Sequence, residues 1–253
     1  MPGLSQEVTN PFPTEAIERA RTLLAQRTPC TVLTGAGVSA ESGVPTFRGA
    51  GGLWRDFRAE DLATPDAFAR EPKLVWEWYD WRRQQVAAVR PNPAHHALAS
   101  FAARTAGFTL VTQNVDGLHD AAGSANPVKL HGDIWDTRCT RCGFTARDTR
   151  VPLPELPPRC RCGAPMRPGV VWFGEALPAD AWTRAEKAAV SCGVFLVVGT
   201  SALVYPAAGL IDIAKAAGAT VLEVNLDETP YSAIVDVSLR GKAGDLVPVL
   251  LSP

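Results

Sequence analysis

Short apolar runs alternate with longer amphipathic stretches along most of this chain. Four of the apolar runs, residues 31–33, 108–111, 194–198 and 220–224, each lead directly into glycine and small polar residues. Parallel strands place their carboxyl ends at one edge of a sheet, where ligands bind. The pattern therefore predicts a crevice of nucleotide size, built from four polar strand ends.

Helical spacing of apolar residues separates these runs. It predicts helices over residues 14–27, 72–89, 95–104, 179–190 and 206–217, and a last short helix beginning at Asp245. Residues 47–64 are rich in glycine and then mixed, which predicts a loop, and a short strand over 128–130 leads into His131. Strands alternating with helices are typical of an α/β fold, here a doubly wound, Rossmann-like parallel sheet.

The composition changes in the middle of the chain, where proline, arginine and cysteine replace the apolar runs. We therefore expect a Rossmann-like domain from residues 14–50, 94–135 and 168–253. A helical insert with a loop is expected at 51–93. A small zinc-binding module is expected at 136–167.

Four cysteines in this module form two close pairs, Cys139 with Cys142 and Cys160 with Cys162. Four thiolates suit tetrahedral Zn²⁺ and leave no open position for a water, so the predicted zinc is structural. The spacing between the pairs is typical of a zinc ribbon, although the second pair has one intervening residue instead of two. Four unligated cysteines are the alternative.

Bulk properties narrow the class of protein. The chain has 253 residues, of which 46% are hydrophobic, and a formal net charge of -1. This charge predicts no general attraction to nucleic acid or to anionic lipid. No apolar run approaches the roughly 20 residues of a membrane-spanning helix, and the N-terminus has no apolar secretion core. We expect a soluble, cytoplasmic protein with no membrane partner.

The first strand ends in Gly35-Ala36-Gly37, which is the opening of a dinucleotide fingerprint, but Ala40 stands where the fingerprint has its last glycine. Glycines here would let the backbone approach a pyrophosphate, with Ser39 at a helix start. The acidic residue that an ordinary dehydrogenase carries after its second strand is missing. The pattern therefore favours a nucleotide that is itself the reactant.

Longer motifs allow a more specific interpretation. GAGVSAESGVPTFRG at 35–49, TQNVDGLH at 112–119, LHG at 130–132, the two cysteine pairs, VVWFGE at 170–175, GTS at 199–201 and NLDET at 225–229 occur in this order. Together they resemble the sirtuins, the NAD-dependent protein lysine deacylases, over nearly the whole chain.

The resemblance implies a reaction and a base. Sirtuins cleave the bond from nicotinamide to ribose and transfer the acyl group of a lysine to the ribose, giving free lysine, nicotinamide and 2′-O-acyl-ADP-ribose. His131 matches the histidine that acts as general base on the ribose hydroxyls. An imidazole with an ordinary pKa of about 6.5 suits proton abstraction near neutral pH.

The resemblance also implies the binding residues. Gln113, Asn114 and Asp116 match the residues that hold the nicotinamide ribose and carboxamide, although a turn built from Asn and Asp is an alternative. The other implied NAD contacts are Gly35, Ala36, Gly37, Ser39, Phe47, Arg48, Gly199, Thr200, Ser201, Asn225, Leu226 and Ala243. The implied substrate contacts are Val171, Phe173, Gly174, Glu175 and Tyr205, with the peptide adding as a strand between the domains.

Two further residues bear on the acyl group. Tyr79 and Arg82 are three positions apart, so they share one face of the predicted helix. They match the pair that marks the class III sirtuins, and Ala50 would leave room in the acyl pocket. This resemblance implies a preference for succinyl or malonyl lysine with weaker deacetylation. An aromatic core stripe with arginines reaching solvent is the alternative.

Two other functions stay open at this point. One is a protein mono-ADP-ribosyltransferase. The other is a non-enzymatic zinc ribbon that binds nucleic acid, because seven arginines make the module locally basic: Arg138, Arg141, Arg147, Arg150, Arg159, Arg161 and Arg167. A solvated face is the simpler interpretation, because the module has no aromatic run for stacking bases. We expect a monomer whose protein partners are acylated-lysine substrates.

Overall fold

The computed structural model describes residues 14–45, 54 and 57–252. Its helices are α1 Thr14–Gln26, α2 Gly37–Ala40, α3 Ala59–Leu62, α4 Pro65–Arg70, α5 Pro72–Ala88, α6 Pro93–Arg104, α7 Leu118–Ala121, α8 Ala179–Ser191, α9 Gly209–Ala216 and α10 Ala243–Leu251. Its strands are β1 Cys30–Thr34, β2 Thr109–Thr112, β3 Val128–Lys129, β4 Gly132–Cys139, β5 Thr145–Arg147, β6 Met166–Val170, β7 Val194–Val198, β8 Thr220–Asn225 and β9 Val237–Arg240.

Six strands form one parallel sheet in the order β3-β2-β1-β7-β8-β9. The chain runs outward from β1 to β3 and then returns to β7 on the other side of β1. This reversal puts the topological switch point between β1 and β7, where open α/β sheets bind ligands. The predicted doubly wound sheet is therefore present.

Helices cover both faces of this sheet. On one face α1, α6 and α10 pack buried side chains such as Ile17, Leu98 and Leu246 against the strands. On the other face α8 and α9 contribute Ala185 and Leu210. The strands are buried on both sides, which explains their continuous apolar sequences.

The smaller antiparallel sheet has the order β5-β4-β6 and carries the cysteine pairs. Its central strand β4 begins at Gly132, directly after His131, so it connects the module to the crevice. The predicted borders of the zinc module fall inside β4 and β6. The antiparallel pairing itself was not predicted, because these strands lack long apolar runs.

The helical insert is held by its own aromatic cluster, which includes Trp76, Phe68 and Trp172. Helix α5 begins at Pro72, whose missing N–H costs nothing in a first turn. The prediction of a loop over 47–64 is wrong at α3, because a helix of four residues shows no helical periodicity. Short length also explains why α2, α4 and α7 were missed.

Within the described residues, we find no helix with the length and hydrophobicity that crossing a membrane requires.

Candidate active site

The loop after β1 and the loop after β7 touch each other at the switch point. The amide of Gly37 donates to the carbonyl of Gly199 at 2.7 Å, and the amide of Gly35 donates to that of Val198 at 3.1 Å. A Cβ on Gly35 would lie 2.6 Å from the Thr200 Cβ, and one on Gly37 would lie 2.7 Å from the Gly199 oxygen. Both glycines are therefore required for the two strand ends to meet.

Beside these glycines lies a small cavity, lined by Ala36, Ser39, Arg82, Asn114 and Asp116 together with several apolar residues. The Asn114 amide donates to the Gly35 carbonyl at 3.0 Å and to Ser39 Oγ at 3.1 Å, which fixes its orientation. A fixed amide and a carboxylate supply the donors and acceptors that a carboxamide requires. The side chains present therefore fit the nicotinamide end of NAD.

Asp116 is an unusual carboxylate because it is only 5% exposed. Burial raises its pKa, and the hydrogen bond that it accepts from the Leu118 amide at 2.8 Å opposes the rise. The positive charge of Arg82 also favours the ionised form. A buried acceptor of this kind suits recognition of an amide N–H.

His131 follows β3 and lies at the edge of the crevice. Its Nδ1 is 2.9 Å from the carbonyl oxygen of Gln113, so Nδ1–H donates and Nε2 remains able to accept a proton. The backbone next to it is tightly held: Gly132 has φ +78°, and a Cβ there would lie 2.2 Å from the Gly169 oxygen. The Val171 amide donates to the His131 carbonyl at 2.9 Å. This geometry is that of an oriented general base.

The pH dependence of turnover should reflect His131. Burial lowers its pKa below the ordinary value of 6.5, and the bond to the Gln113 carbonyl partly offsets this effect. The base form is therefore retained at pH 7 and is lost only as the pH falls through the lowered pKa. We expect the acidic limb of a kcat/KM profile to have an apparent pKa below about 6.5. A limb above pH 7 would contradict this assignment.

Gln113 connects two strand ends. Its side-chain Nε2 donates to Thr200 Oγ1 at 3.0 Å, and its backbone amide donates to the Thr34 carbonyl at 3.0 Å. The carbonyl that orients His131 is thus anchored from both sides.

Further predicted NAD contacts lie at the carboxyl ends of β7, β8 and β9. Thr200 is buried, Ser201 is half-buried and Leu226 is exposed. Asn225 ends β8, and its amide donates to the Asp227 carbonyl at 2.9 Å. Ala243 is the first residue of α10. The structure thus places these residues along one edge of the sheet.

The predicted substrate segment follows β6. Phe173 is 45% exposed, and its amide donates to the Ala63 carbonyl at 2.9 Å. Gly174 has φ +85° with open space around it. Tyr205 is exposed, and its hydroxyl lies 3.0 Å from that of Tyr231. These residues present backbone and apolar surface beside the crevice.

Glu175 has a role that its sequence position did not reveal. Its carboxylate forms a bidentate ion pair with Arg167, with distances of 2.6 and 2.9 Å, and accepts the Trp172 amide at 2.8 Å. The Arg167 ion pair and the Trp172 amide lower its pKa against the opposing effect of burial. Its contact with substrate stays a prediction.

Tyr79 and Arg82 share one face of α5, as predicted. Tyr79 is 2% exposed, and burial raises its pKa to about 12. Its hydroxyl accepts a hydrogen bond from Trp172 Nε1 at 3.0 Å. The Arg82 guanidinium lies 5.1 Å from the Trp78 ring centre and lines the cavity that Asn114 and Asp116 share. Phe47, Arg48 and Ala50 lie outside the described residues.

The four cysteine sulfurs converge. All lie within 4.8 Å of one another, with Cys139 Sγ 3.5 Å from Cys162 Sγ and Cys142 Sγ 3.7 Å from Cys160 Sγ. Tetrahedral zinc with Zn–S bonds of about 2.3 Å requires sulfurs ~3.8 Å apart. The cluster therefore fits one structural zinc after small movements of the cysteine side chains.

The module's arginines are largely engaged with carboxylates. Arg147 pairs with Asp133 and Asp136, and the others that pair are Arg150 with Asp148, Arg159 with Glu155 and Arg167 with Glu175. These pairs reduce the positive charge that a nucleic acid would meet. The geometry thus favours a solvated face.

Two further histidines, His95 and His119, are buried close to the glycine turn and to β2. His95 Nε2 lies 3.3 Å from Ser39 Oγ, and His119 Nε2 lies 2.9 Å from Thr34 Oγ1. Burial lowers the pKa of His95 to about 4 and that of His119 to about 3, so both are neutral at pH 7. His95 thereby supports the Ser39 hydroxyl that accepts from the Asn114 amide, and His119 supports the Thr34 hydroxyl beneath it.

The profile of the Sir2 family matches residues 35–206, which contain the glycine turn, His131 and the cysteine cluster. The chain belongs to the Sir2 family. The NAD-dependent protein deacylase of Aquifex aeolicus (strain VF5) is 56% identical over 212 residues, or 83% of this chain and 89% of the relative. The predicted enzyme class of this Sir2 protein, an NAD-dependent protein lysine deacylase, is thereby confirmed.

Solved structures agree with this assignment. A Sir2 homologue mutant in complex with 2′-O-acetyl ADP ribose is 47% identical, with a TM-score of 0.87, covering 92% of this chain and 94% of that one. Sir2 in complex with a p53 peptide and NAD+ is 30% identical, with a TM-score of 0.83, covering 91% and 95%. The predicted Rossmann-like fold with its zinc module, NAD as cosubstrate and one structural zinc are confirmed.

Proposed function

We propose that this Sir2 protein removes acidic acyl groups, succinyl and malonyl, from protein lysines in preference to acetyl. NAD is the cosubstrate, and nicotinamide and 2′-O-acyl-ADP-ribose are the products. One observation carries the preference: the Arg82 guanidinium lines the cavity beside Asn114 and Asp116, and the Tyr79 phenol lies three positions earlier on the same face of α5, within an apolar cluster.

A carboxylate is the group that this pair would bind best. The phenol donates one hydrogen bond and the guanidinium donates several, and a carboxylate can accept all of them because both of its oxygens are acceptors. Burial lowers the pKa of Arg82, but a guanidinium stays protonated at neutral pH. A charge-assisted hydrogen bond contributes about 1.5–3 kcal/mol, which corresponds to about ten- to a hundredfold in affinity.

The other site residues bind NAD and accept a proton from its ribose. Asn114 and Asp116 hold the carboxamide of NAD and orient its ribose. Gly35, Gly37 and Thr200 admit the phosphates and the adenosine side. NAD supplies the activated ribose carbon that receives the acyl oxygen. His131 takes the proton from a ribose hydroxyl through Nε2, while Gln113 holds its Nδ1–H.

The substitution Arg82→Met tests the preference. Methionine keeps apolar bulk and removes the charge, so we expect the ratio of kcat/KM for succinyl over acetyl peptide to fall by about ten- to a hundredfold. The assay measures nicotinamide release with NAD and peptides of one sequence that carry either acyl group. A wild-type enzyme that turns over both peptides equally would refute the proposal.

The matched control is Arg90→Met. Arg90 is an exposed arginine just beyond the same helix, and its guanidinium donates to the Val89 carbonyl. It should leave the ratio as in the wild type. If Arg82→Met lowers both activities equally, Arg82 supports the fold or the cofactor instead of the acyl group.

We further propose that acylated-lysine proteins are the partners and that the chain works as a monomer in the cytoplasm. The apolar strip at Phe173 and Gly174 supports entry of an extended peptide.

A further inference from the structure

One side chain of the loop that follows β6 extends to Tyr79 on helix α5. Trp172 is 3% exposed, and its ring lies 5.3 Å from that of Phe68 within the aromatic cluster of the insert. Its Nε1 is 3.0 Å from the hydroxyl of Tyr79. An indole nitrogen can only donate, so the direction of this hydrogen bond is fixed and the Tyr79 oxygen accepts.

This bond changes what the Tyr79 hydroxyl can offer to a substrate. Burial keeps the phenol protonated at neutral pH. Its own proton finds no acceptor among the residues that the structure describes, whereas its oxygen already receives the indole N–H. To an acyl group bound beside Arg82, the hydroxyl therefore offers a donor, and a ligand that accepts hydrogen bonds is favoured over one that donates them.

The indole is held in this position from the other side. The Arg167 guanidinium lies 3.4 Å from the Trp172 ring centre, and Glu175 binds both that guanidinium and the Trp172 amide. Arg167 is itself 8% exposed and donates to the Val170 carbonyl at 3.0 Å. A continuous set of contacts thus runs from Glu175 through Arg167 and Trp172 to Tyr79.

We propose that Trp172 is a specificity-determining residue, whose indole N–H occupies the acceptor side of Tyr79 and directs the phenolic proton toward the carboxylate of an acidic acyl group. This inference rests on the proposed acidic acyl preference. It assigns Trp172 a positioning role, because it acts through Tyr79. In this proposal the Arg167–Glu175 ion pair contributes to specificity, because it fixes the plane of the Trp172 indole.

The substitution Trp172→Phe removes the N–H and keeps an aromatic ring. We expect the succinyl-over-acetyl ratio of kcat/KM to fall about tenfold, mostly through KM for the succinyl peptide. Tyr79→Phe should reduce the ratio by a similar factor. Because both changes remove parts of one interaction, the double variant should lose no more than about tenfold. If the fold-reductions in the ratio caused by Trp172→Phe and Tyr79→Phe multiply in the double variant, the proposal is overturned.

A second measurement does not depend on the stability of the Trp172 variant. The ¹⁵N-indole resonance of Trp172, assigned in the otherwise unaltered protein, should shift in Tyr79→Phe. It should also shift when a succinyl-lysine peptide is added with ADP-ribose, and shift less with the acetyl-lysine peptide. An indole resonance that Tyr79→Phe leaves unmoved would refute the hydrogen bond.

The two proposals fail in different ways. A wild type without a succinyl preference overturns the proposed function, while the effect of Tyr79→Phe on the indole resonance still tests the hydrogen bond. A wild type that prefers succinyl, combined with a Trp172→Phe variant of unchanged ratio, overturns only the role of Trp172.

Discussion

Replacing His131 by alanine is expected to lower turnover of NAD and acylated peptide by about 10²- to 10⁴-fold, the usual contribution of a positioned general base. The physical reason is that Nδ1–H donates to the Gln113 carbonyl, which leaves Nε2 able to accept a proton. Alanine leaves no group there that could take its place. The measurement is nicotinamide release under single-turnover conditions, with free lysine product determined by mass spectrometry.

The matched control is His96→Ala, since His96 is an exposed histidine on α6. It should retain the wild-type rate. Melting curves of both variants separate a lost base from a lost fold, because the His131 side chain packs at the crevice edge and not in the core. Turnover by His131→Ala at the wild-type rate would contradict its assignment as the base.

Removing the zinc is expected to unfold the 136–167 module and to abolish activity with it. A four-thiolate zinc contributes on the order of 10 kcal/mol to the folding of a small module. The buried cluster at the centre of the module consists of Cys139, Cys160, Ala164 and Met166, and the other two predicted ligands, Cys142 and Cys162, are exposed. Because β4 begins next to His131, loss of the module also releases the base. Chelator titration followed by circular dichroism and zinc analysis measures this effect.

Cys160→Ser should reproduce the effect, with less than one zinc bound per chain. The control is Cys192→Ser. Cys192 is also buried, but it lies outside the cluster, and its thiol donates to the Ala189 carbonyl, as a serine hydroxyl can. It should bind one zinc and melt close to the wild type. A chelated protein with full activity and unchanged melting would show that the cluster holds no structural metal.

Much of the fold could be predicted because its signals are local. The strands of the large sheet are buried on both faces, so each is a continuous apolar run that ends at a polar turn. The spacing within each cysteine pair is likewise a local signal, and it predicts the zinc ligands. Short helices such as α2 and α7, and the antiparallel strands of the module, have no such signal, because their stability comes from contacts made after folding.

The candidate site likewise contains residues that local sequence predicts and residues whose role depends on tertiary contacts. Asn114, Asp116 and His131 follow directly from the strand ends that precede them, so the sequence places them together at one edge. Glu175 could not be assigned in this way, because its pairing with Arg167 depends on how a loop closes onto β6. The sequence shows that Trp172 is close to Glu175 in the chain, but it does not show the hydrogen bond between Trp172 and Tyr79.

The amino-acid sequence by itself determined the Sir2 motifs, the parallel sheet and the cysteine cluster, and it predicted the base, since each of these depends on residues that are close together in the chain. Only the tertiary structure decided how the loop after β6, helix α5 and the zinc-binding module contact one another. Trp172 and Tyr79 are 93 positions apart, and no local pattern records a hydrogen bond between them. The proposed acyl specificity therefore depends on side chains that long-range packing brings into contact.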